Sequence, residues 1–443
     1  MEETPRKTFE LKRSTTMREK DLRKQHRQLD LFQAMLAHGI EAVAQRDNPA
    51  DEKTRLIAGS PSNLFELNHY VFGGARDLGK PLRTLVAGGG TGDAAIMLAQ
   101  HMCNMAVPGK VVHLDLSRPS QAVARDRAQI RDLDNIEFVT GSLLDVADVA
   151  PGPWDYIDCC GVLHHLEDPD AGLRALAGQL APDGGIGVMV YGEYGRTGIY
   201  HMQDMLRTIA PAGTMPDADR VEMAKRLASG LPGTAWLVRN GLIHDHVGGG
   251  DSGVYDIFLH SRDRAYRVPE IAEFVARAGL RVTTFIEPYR YDPDWLVQDP
   301  RIRKRLRDLG PLPRAAFAEL FTGNLKKHIF YAVLNDNPVT PPNTDDPDIV
   351  PHLLNLSAED ASNALPPGGR ITVNADGLKT DMSIPPLSRT IGSLCDGTRS
   401  LSEIHEAIRE KRSDLNYDAF KRQFDDLYRV MNAINRMALR SPA

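Results

Sequence analysis

Three glycines alternate in Gly88-Gly89-Gly90-Thr91-Gly92, directly after the apolar run Leu82–Ala87, and a carboxylate, Asp115, ends the next apolar segment, Val111–Leu114. Glycine has no Cβ and reaches positive φ at little cost, so such a turn lets a ligand lie against backbone. In an open α/β sheet, ligands sit at the first strand-to-helix turn, and an acid ending the second strand is placed to hold ribose hydroxyls. The chemistry implied is nucleoside binding. A dinucleotide fingerprint needs a third glycine where this chain has Asp93, which disfavours a nicotinamide-dependent oxidoreductase. A phosphate-binding loop needs Gly-Lys-Ser/Thr, and the segment has none.

A second set of reactive side chains stands at later strand ends. His164, in Gly161-Val162-Leu163-His164-His165, is placed either to take a proton from an acceptor or to hydrogen-bond backbone at a helix start. Tyr191, Glu193, Tyr194 and Arg196 leave the fifth apolar strand toward the same end; Tyr191 also suits a core position, and Arg196 a solvated loop. Catalytic candidates are therefore His164, Tyr191 and Glu193. Substrate candidates are Tyr194 and Arg196, with His260, Arg264 and Tyr266 just ahead of a helix start at Val268-Pro269-Glu270.

The elements that must position these residues follow from periodicity. Strands are expected at Leu82–Ala87, Val111–Asp115, Asn135–Thr140, Trp154–Cys160 and Ile186–Tyr191, and later at Leu280–Ile286 and His328–Leu334. Helices are expected from Asp93, where a carboxylate suits the helix dipole, and through Leu173, Leu176 and Leu180; Pro182-Asp183-Gly184-Gly185 reads as a turn.

Taken in order, Gly-x-Gly-x-Gly, Asp115, Gly141-Ser142-Leu143-Leu144-Asp145, Gly161–Pro169 and Leu180–Gly185 resemble class I S-adenosylmethionine-dependent methyltransferases of the type 11/12 kind, over about residues 82–191. The resemblance implies an α/β fold: a Rossmann-like seven-stranded sheet with inserted helical elements and a small α+β C-terminal domain. It implies S-adenosylmethionine as cofactor, held by Gly88, Gly90, Gly92, Asp115, Leu116, Ser142, Leu143 and Gly161, and methyl transfer by in-line displacement, which depends mainly on positioning. Ser142 stands where the family commonly carries an acid, so adenine recognition falls to the Leu143 amide, the Ser142 hydroxyl or Asp145. The alternative is a cofactor-binding regulatory or peptide-binding protein on the same scaffold, without transfer activity. Tyr194, Trp236 and Trp295 in the insertions favour a bulky or planar small-molecule acceptor over nucleic acid.

The chain has 443 residues, 42% of them hydrophobic, enough for two or three domains, and a formal net charge of -6 that gives no argument for nucleic acid or an acidic membrane. Cys103, Cys159, Cys160 and Cys395 lack metal-ligand spacing, so no metal is expected. With no long apolar run, the cytoplasm is the expected compartment. The expected division is a helical N-terminal extension over 1–58 and a catalytic domain over 59–336, with insertions at about 192–264 and 288–325. A Pro/Asn/Asp-rich linker over 337–369 then leads to a C-terminal domain over 370–443. That last domain weakly resembles small winged-helix modules that recognise peptides, which implies a peptide or protein partner. The basic run Arg301, Arg303, Lys304, Arg305 and Arg307, with Ile302 and Leu306 four apart, reads as an amphipathic surface helix rather than an RNA-binding face.

Overall fold

The computed structural model describes residues 61–243, 250–260 and 262–442; the expected extension over 1–58 lies outside the described residues. One sheet holds β1 (Leu82–Ala87), β2 (Gly109–Asp115), β3 (Ile136–Thr140), β4 (Trp154–Cys160), β5 (Leu180–Gly192), β6 (Ala265–Tyr266), β7 (Leu280–Phe285) and β8 (Lys327–Leu334). Its order is β3-β2-β1-β4-β5-β8-β7, with β6 paired to β5. Only β8 runs antiparallel, between β5 and β7. The chain moves outward from β1 through β2 and β3, then restarts on the other side with β4, so a crevice opens at the carboxyl ends of β1 and β4. Both predicted clusters of reactive residues lie at that edge.

Strand alternation builds the two faces. Leu85 and Ile157 pack with Leu114, Leu173 and Phe274 on one side, while their neighbours Val86 and Tyr156 pack with Leu64, Leu67, Leu98 and Tyr331 on the other. The segment Pro182–Gly185, expected as a turn, is instead part of β5. A register shift between Trp154 and Tyr156 in the β4–β5 pairing absorbs it, and an added Cβ at Gly184 would meet the Trp154 carbonyl at 2.7 Å.

The first insertion gathers a core of its own from Met202, Leu206, Val221, Leu237 and Phe258. In the second, the basic run forms the helix Pro300–Arg307, with Leu306 buried and Ile302 exposed, so only one of the two apolar positions faces inward. The stretch 337–369 is not an unstructured linker throughout: β9 (Val350–Leu353) and the helix Ala358–Ala364 lie within it. β9 pairs antiparallel with β12 (Met437–Arg440), a partner far along the chain that local composition does not reveal. β10 (Gly369–Ala375) and β11 (Leu378–Ile384) form a hairpin beside the helices Leu401–Arg409 and Tyr417–Ala433. The capping box at Ser400 and Glu403 is present in both directions, at 3.3 Å and 2.8 Å.

The helix Leu64–Tyr70 joins the two parts. Glu66 accepts from Tyr331 of β8 at 3.0 Å and from Asn435 of the C-terminal part at 2.9 Å. The segment before β1 therefore packs under the sheet.

Candidate active site

The β1 turn divides its glycines between packing and opening. A Cβ on Gly88 would meet Val162 at 2.4 Å, one on Gly89 would meet His113 at 2.5 Å, and one on Gly92 would meet Ala124 at 2.8 Å. Gly90, at φ +52, would meet nothing within 4 Å. Its amide donates to Asp115 at 2.7 Å, and the Ser117 amide donates to the other carboxylate oxygen at 2.6 Å. The His113 ring donates to the Gly90 carbonyl at 3.0 Å. Asp115 thus braces the turn, while each of its oxygens keeps a lone pair for a hydroxyl. Leu116 and Leu144, which follow β2 and β3, are 71% and 51% exposed.

These features fit S-adenosylmethionine: a backbone turn facing open space, an acid at the ribose position, and two uncovered apolar side chains at the strand ends. Asp93 is bound to Arg127 at 2.7 Å, and Arg127 also donates to the Thr91 carbonyl at 2.7 Å, so this pair fixes the start of the helix behind the turn. Ser142 accepts from the Leu144 amide at 3.1 Å, and the Leu143 side chain is buried in the core. Gly161 holds φ +76 at the end of β4. The contact of Val162 with Gly88 brings the residues after β4 directly against the β1 turn.

Beyond Val162 the rings gather. His164 lies 4.1 Å from Tyr191 and 4.2 Å from His165, and His165 lies 3.9 Å from His260, measured between ring centroids. The Arg196 guanidinium covers the Tyr191 face at 3.6 Å. It pairs with Asp263 at 3.0 Å, the side chains being 7% and 0% exposed, and Gln203 donates to the same carboxylate oxygen at 2.9 Å. Arg196 is therefore no solvated loop charge. Burial first, then proximity to the His165, Arg196 and His260 side chains, pushes His164 down to about 2. Its ring is neutral at pH 7, weakly basic, and without a hydrogen-bond partner at either nitrogen among the described residues. Burial raises the Tyr191 phenol, so it too stays neutral.

The other candidates fall at the margin of this cluster. Glu193 is exposed and 3.5 Å from Arg267, and Tyr194 is half-buried beside it. Arg264 lies over the Tyr266 ring at 4.5 Å, with Tyr266 buried. Sequence reasoning passed over His113, Arg127, His165 and Asp263. The adjacency of His165 to His164, and of Asp263 to Arg264, was the available signal; the roles depend on contacts made across the fold.

Residues 85–186 match the family model of a methyltransferase domain. An uncharacterized protein of Synechococcus is 31% identical over 275 residues, 59% of this chain and 63% of that one. A ubiquinone biosynthesis O-methyltransferase of Neisseria meningitidis is 30% identical over 131 residues, 29% of this chain and 52% of its own. The chain thus spans between 52% and 63% of the length of these relatives. The solved structure of PKMT2 from Rickettsia typhi in complex with AdoHcy superposes with a TM-score of 0.60 at 16% identity, over 85% of this chain and 75% of that one, a likeness of fold.

Proposed function

We propose that this chain, whose sheet is the Rossmann-like sheet of class I methyltransferases and whose residues 85–186 carry the methyltransferase-domain signature, transfers a methyl group from S-adenosylmethionine to an acceptor held at the ends of β4 and β5. The observation that carries this reading is the junction at Val162: it packs on the β1 turn at Gly88, and two residues later His164 enters the ring cluster with Tyr191. When bound, the cofactor supplies an electrophilic methyl group. Gly90 leaves room for its approach, Asp115 holds the ribose hydroxyls, and Leu116 and Leu144 cover apolar surface. His164, Tyr191 and the Arg196–Asp263 pair shape the wall against which the acceptor lies, and fixing that geometry is the main contribution a protein makes to an in-line displacement.

The acceptor is a small molecule in this reading, because the cluster is a set of planar rings with one buried, neutralised cation rather than a basic surface. Among the described residues no helix is long and apolar enough to cross a membrane. For a peptide or protein partner the reading assigns the cleft of about 570 Å³ between the second insertion and the C-terminal part, and its support is the convergence there of Trp295, Arg303, Arg370, Asp381 and Arg429. Undiminished peptide binding by an Arg370→Glu chain would remove that assignment.

Calorimetric titration with S-adenosylmethionine and with NAD tests the reading, followed by transfer of labelled methyl into fractionated extract. Binding of NAD alone overturns it. Tight binding of S-adenosylmethionine with no labelled product favours the regulatory alternative.

A further inference from the structure

The backbone of one residue, Arg262, sets the chemistry of two imidazoles. The Arg262 carbonyl lies 2.8 Å from Nδ1 of His165, and the Arg262 amide lies 3.2 Å from Nδ1 of His260. A carbonyl only accepts and an amide N–H only donates, so His165 carries its proton on Nδ1, whereas Nδ1 of His260 is bare. In the neutral rings the remaining nitrogens are then opposite in kind: Nε2 of His165 offers a lone pair, and Nε2 of His260 offers an N–H. The rings lie 3.9 Å apart at an interplanar angle of 37°, both half-buried, and neither Nε2 has a partner among the described residues. Arg262 is itself tied to Glu167 at 2.9 Å, which anchors the loop that fixes both tautomers.

We infer that His165 and His260 together recognise an acceptor bearing a hydroxyl beside a second oxygen, as in a catechol or hydroxyquinone, with His165 taking the hydroxyl proton. The inference rests on the transfer reading and names its substrate class. The hydroxyl donates to Nε2 of His165 while the neighbouring oxygen accepts from Nε2–H of His260, which a lone hydroxyl cannot match. When the proton passes to Nε2, the oxygen retains the electron pair of the O–H bond and becomes the nucleophile. The resulting imidazolium keeps its Nδ1–H on the Arg262 carbonyl and later releases the Nε2 proton to solvent. An ammonium acceptor has only donors to present, and so opposes both His260 and the Arg196 guanidinium.

The groups that face His165 are the rings of His164, Tyr191 and His260, and the charges that act on it are those of Asp263 and Asp256. Burial holds the His165 ring below the ordinary imidazole range, and His260 adds to this, whereas the Arg262 hydrogen bond and the carboxylates of Asp263 and Asp256 partly restore it. The ring is thus neutral at pH 7, with its lone pair available. His164 is a weaker base at the same edge and serves as a wall.

The test uses the full chain without methyl donor, titrated with nitrocatechol and with para-nitrophenol, whose absorbance distinguishes the neutral and ionised forms. Nitrocatechol is expected to bind in its ionised form at a pH where it is neutral in solution, about tenfold tighter than para-nitrophenol. His165→Phe, which keeps a ring but no base, should bind the neutral form. His260→Phe should bring the two ligands to equal affinity. A neutral spectrum for bound nitrocatechol in the unmutated chain, or equal affinities there, overturns the inference. Nitrogen NMR of the imidazoles gives an independent reading, and the opposite tautomers would overturn it too. S-adenosylmethionine titrations on the same samples separate the two levels: intact cofactor binding with methylation of amines alone removes the catechol inference and leaves transfer standing, while absent cofactor binding removes the transfer reading itself.

Discussion

Within the β1 turn, glycines that look equivalent in sequence separate by what surrounds them. At Gly90 an alanine methyl would enter open space, at a cost of about 1–2 kcal/mol for the left-handed backbone alone. At Gly88 the same methyl would collide with Val162, and the residues after β4 must shift. Gly90→Ala should therefore remain folded while losing affinity for S-adenosylmethionine, and Gly88→Ala should lower the unfolding midpoint first. Equal stability of the two variants in urea would contradict this division. Asp115→Ala removes the acceptor of two amides as well as the proposed ribose contact. A loss of about 2–3 kcal/mol in binding, or roughly 30- to 150-fold in Kd, is expected by calorimetry. Among the histidines, His165→Phe should reduce transfer by about 100-fold or more, the usual contribution of a proton acceptor, whereas His164→Phe replaces one uncharged ring by another and should cost less than about tenfold. A reversed ranking in single-turnover assays would return the proton to His164.

The elements show which parts of the fold could be read in advance. β1 and β4 have the expected ends, because apolar runs bounded by glycine turns are local signals. The C-terminal hairpin carries a local signal of the same kind: Asp376-Gly377 between β10 and β11 takes φ +47 and +78, as a two-residue turn of this kind requires. By contrast, β9 depends on a partner more than eighty residues later, and no local pattern encodes that pairing. The ring cluster was legible in parts, since His164, Tyr191, Arg196 and His260 were each singled out, but the buried acid that neutralises Arg196 was not. The turn residue Asp376 also binds the second insertion, meeting Arg290 at 2.8 Å and Lys326 at 3.1 Å. Arg290 is buried but keeps Glu287 at 3.2 Å as a second partner, so Asp376→Ala should destabilise the chain by about 1–3 kcal/mol. Replacing both residues, as Arg290→Met with Asp376→Ala, should recover part of that loss in urea melts. No recovery would mean that the Lys326 contact or the turn itself carries the effect.

Across the whole molecule, histidines couple the docking of the two parts to pH. His69, on the helix Leu64–Tyr70, accepts the Leu439 amide of β12 at 3.1 Å and meets the Tyr428 hydroxyl at 3.3 Å. His352 of β9 stacks on Phe65 at 3.3 Å. Burial pushes both rings down from 6.5 to about 4, with Arg440 adding to the effect at His352. Above pH 6.5 both states are neutral at these rings and stability does not respond. Between 6.5 and about 4 the unfolded chain takes up protons that the folded chain refuses, so each ring lowers stability by ~1.4 kcal/mol per pH unit as the pH falls. His164 acts in the same sense. Asp158 opposes them, because burial raises it to about 6 and it gains a proton in the folded state first. These rings, with His165 and His101 displaced in the same direction by burial, outweigh one carboxyl, so lowering the pH from 6.5 to about 5 should cost on the order of several kcal/mol in urea denaturation. His352→Phe preserves the stack on Phe65 and cannot titrate, so its stability should fall less steeply over this window, by one proton's worth of slope. An unchanged slope in that variant would show that His352 is free to protonate in the folded chain, and that the contact between the Leu64–Tyr70 helix and β9 does not exclude water.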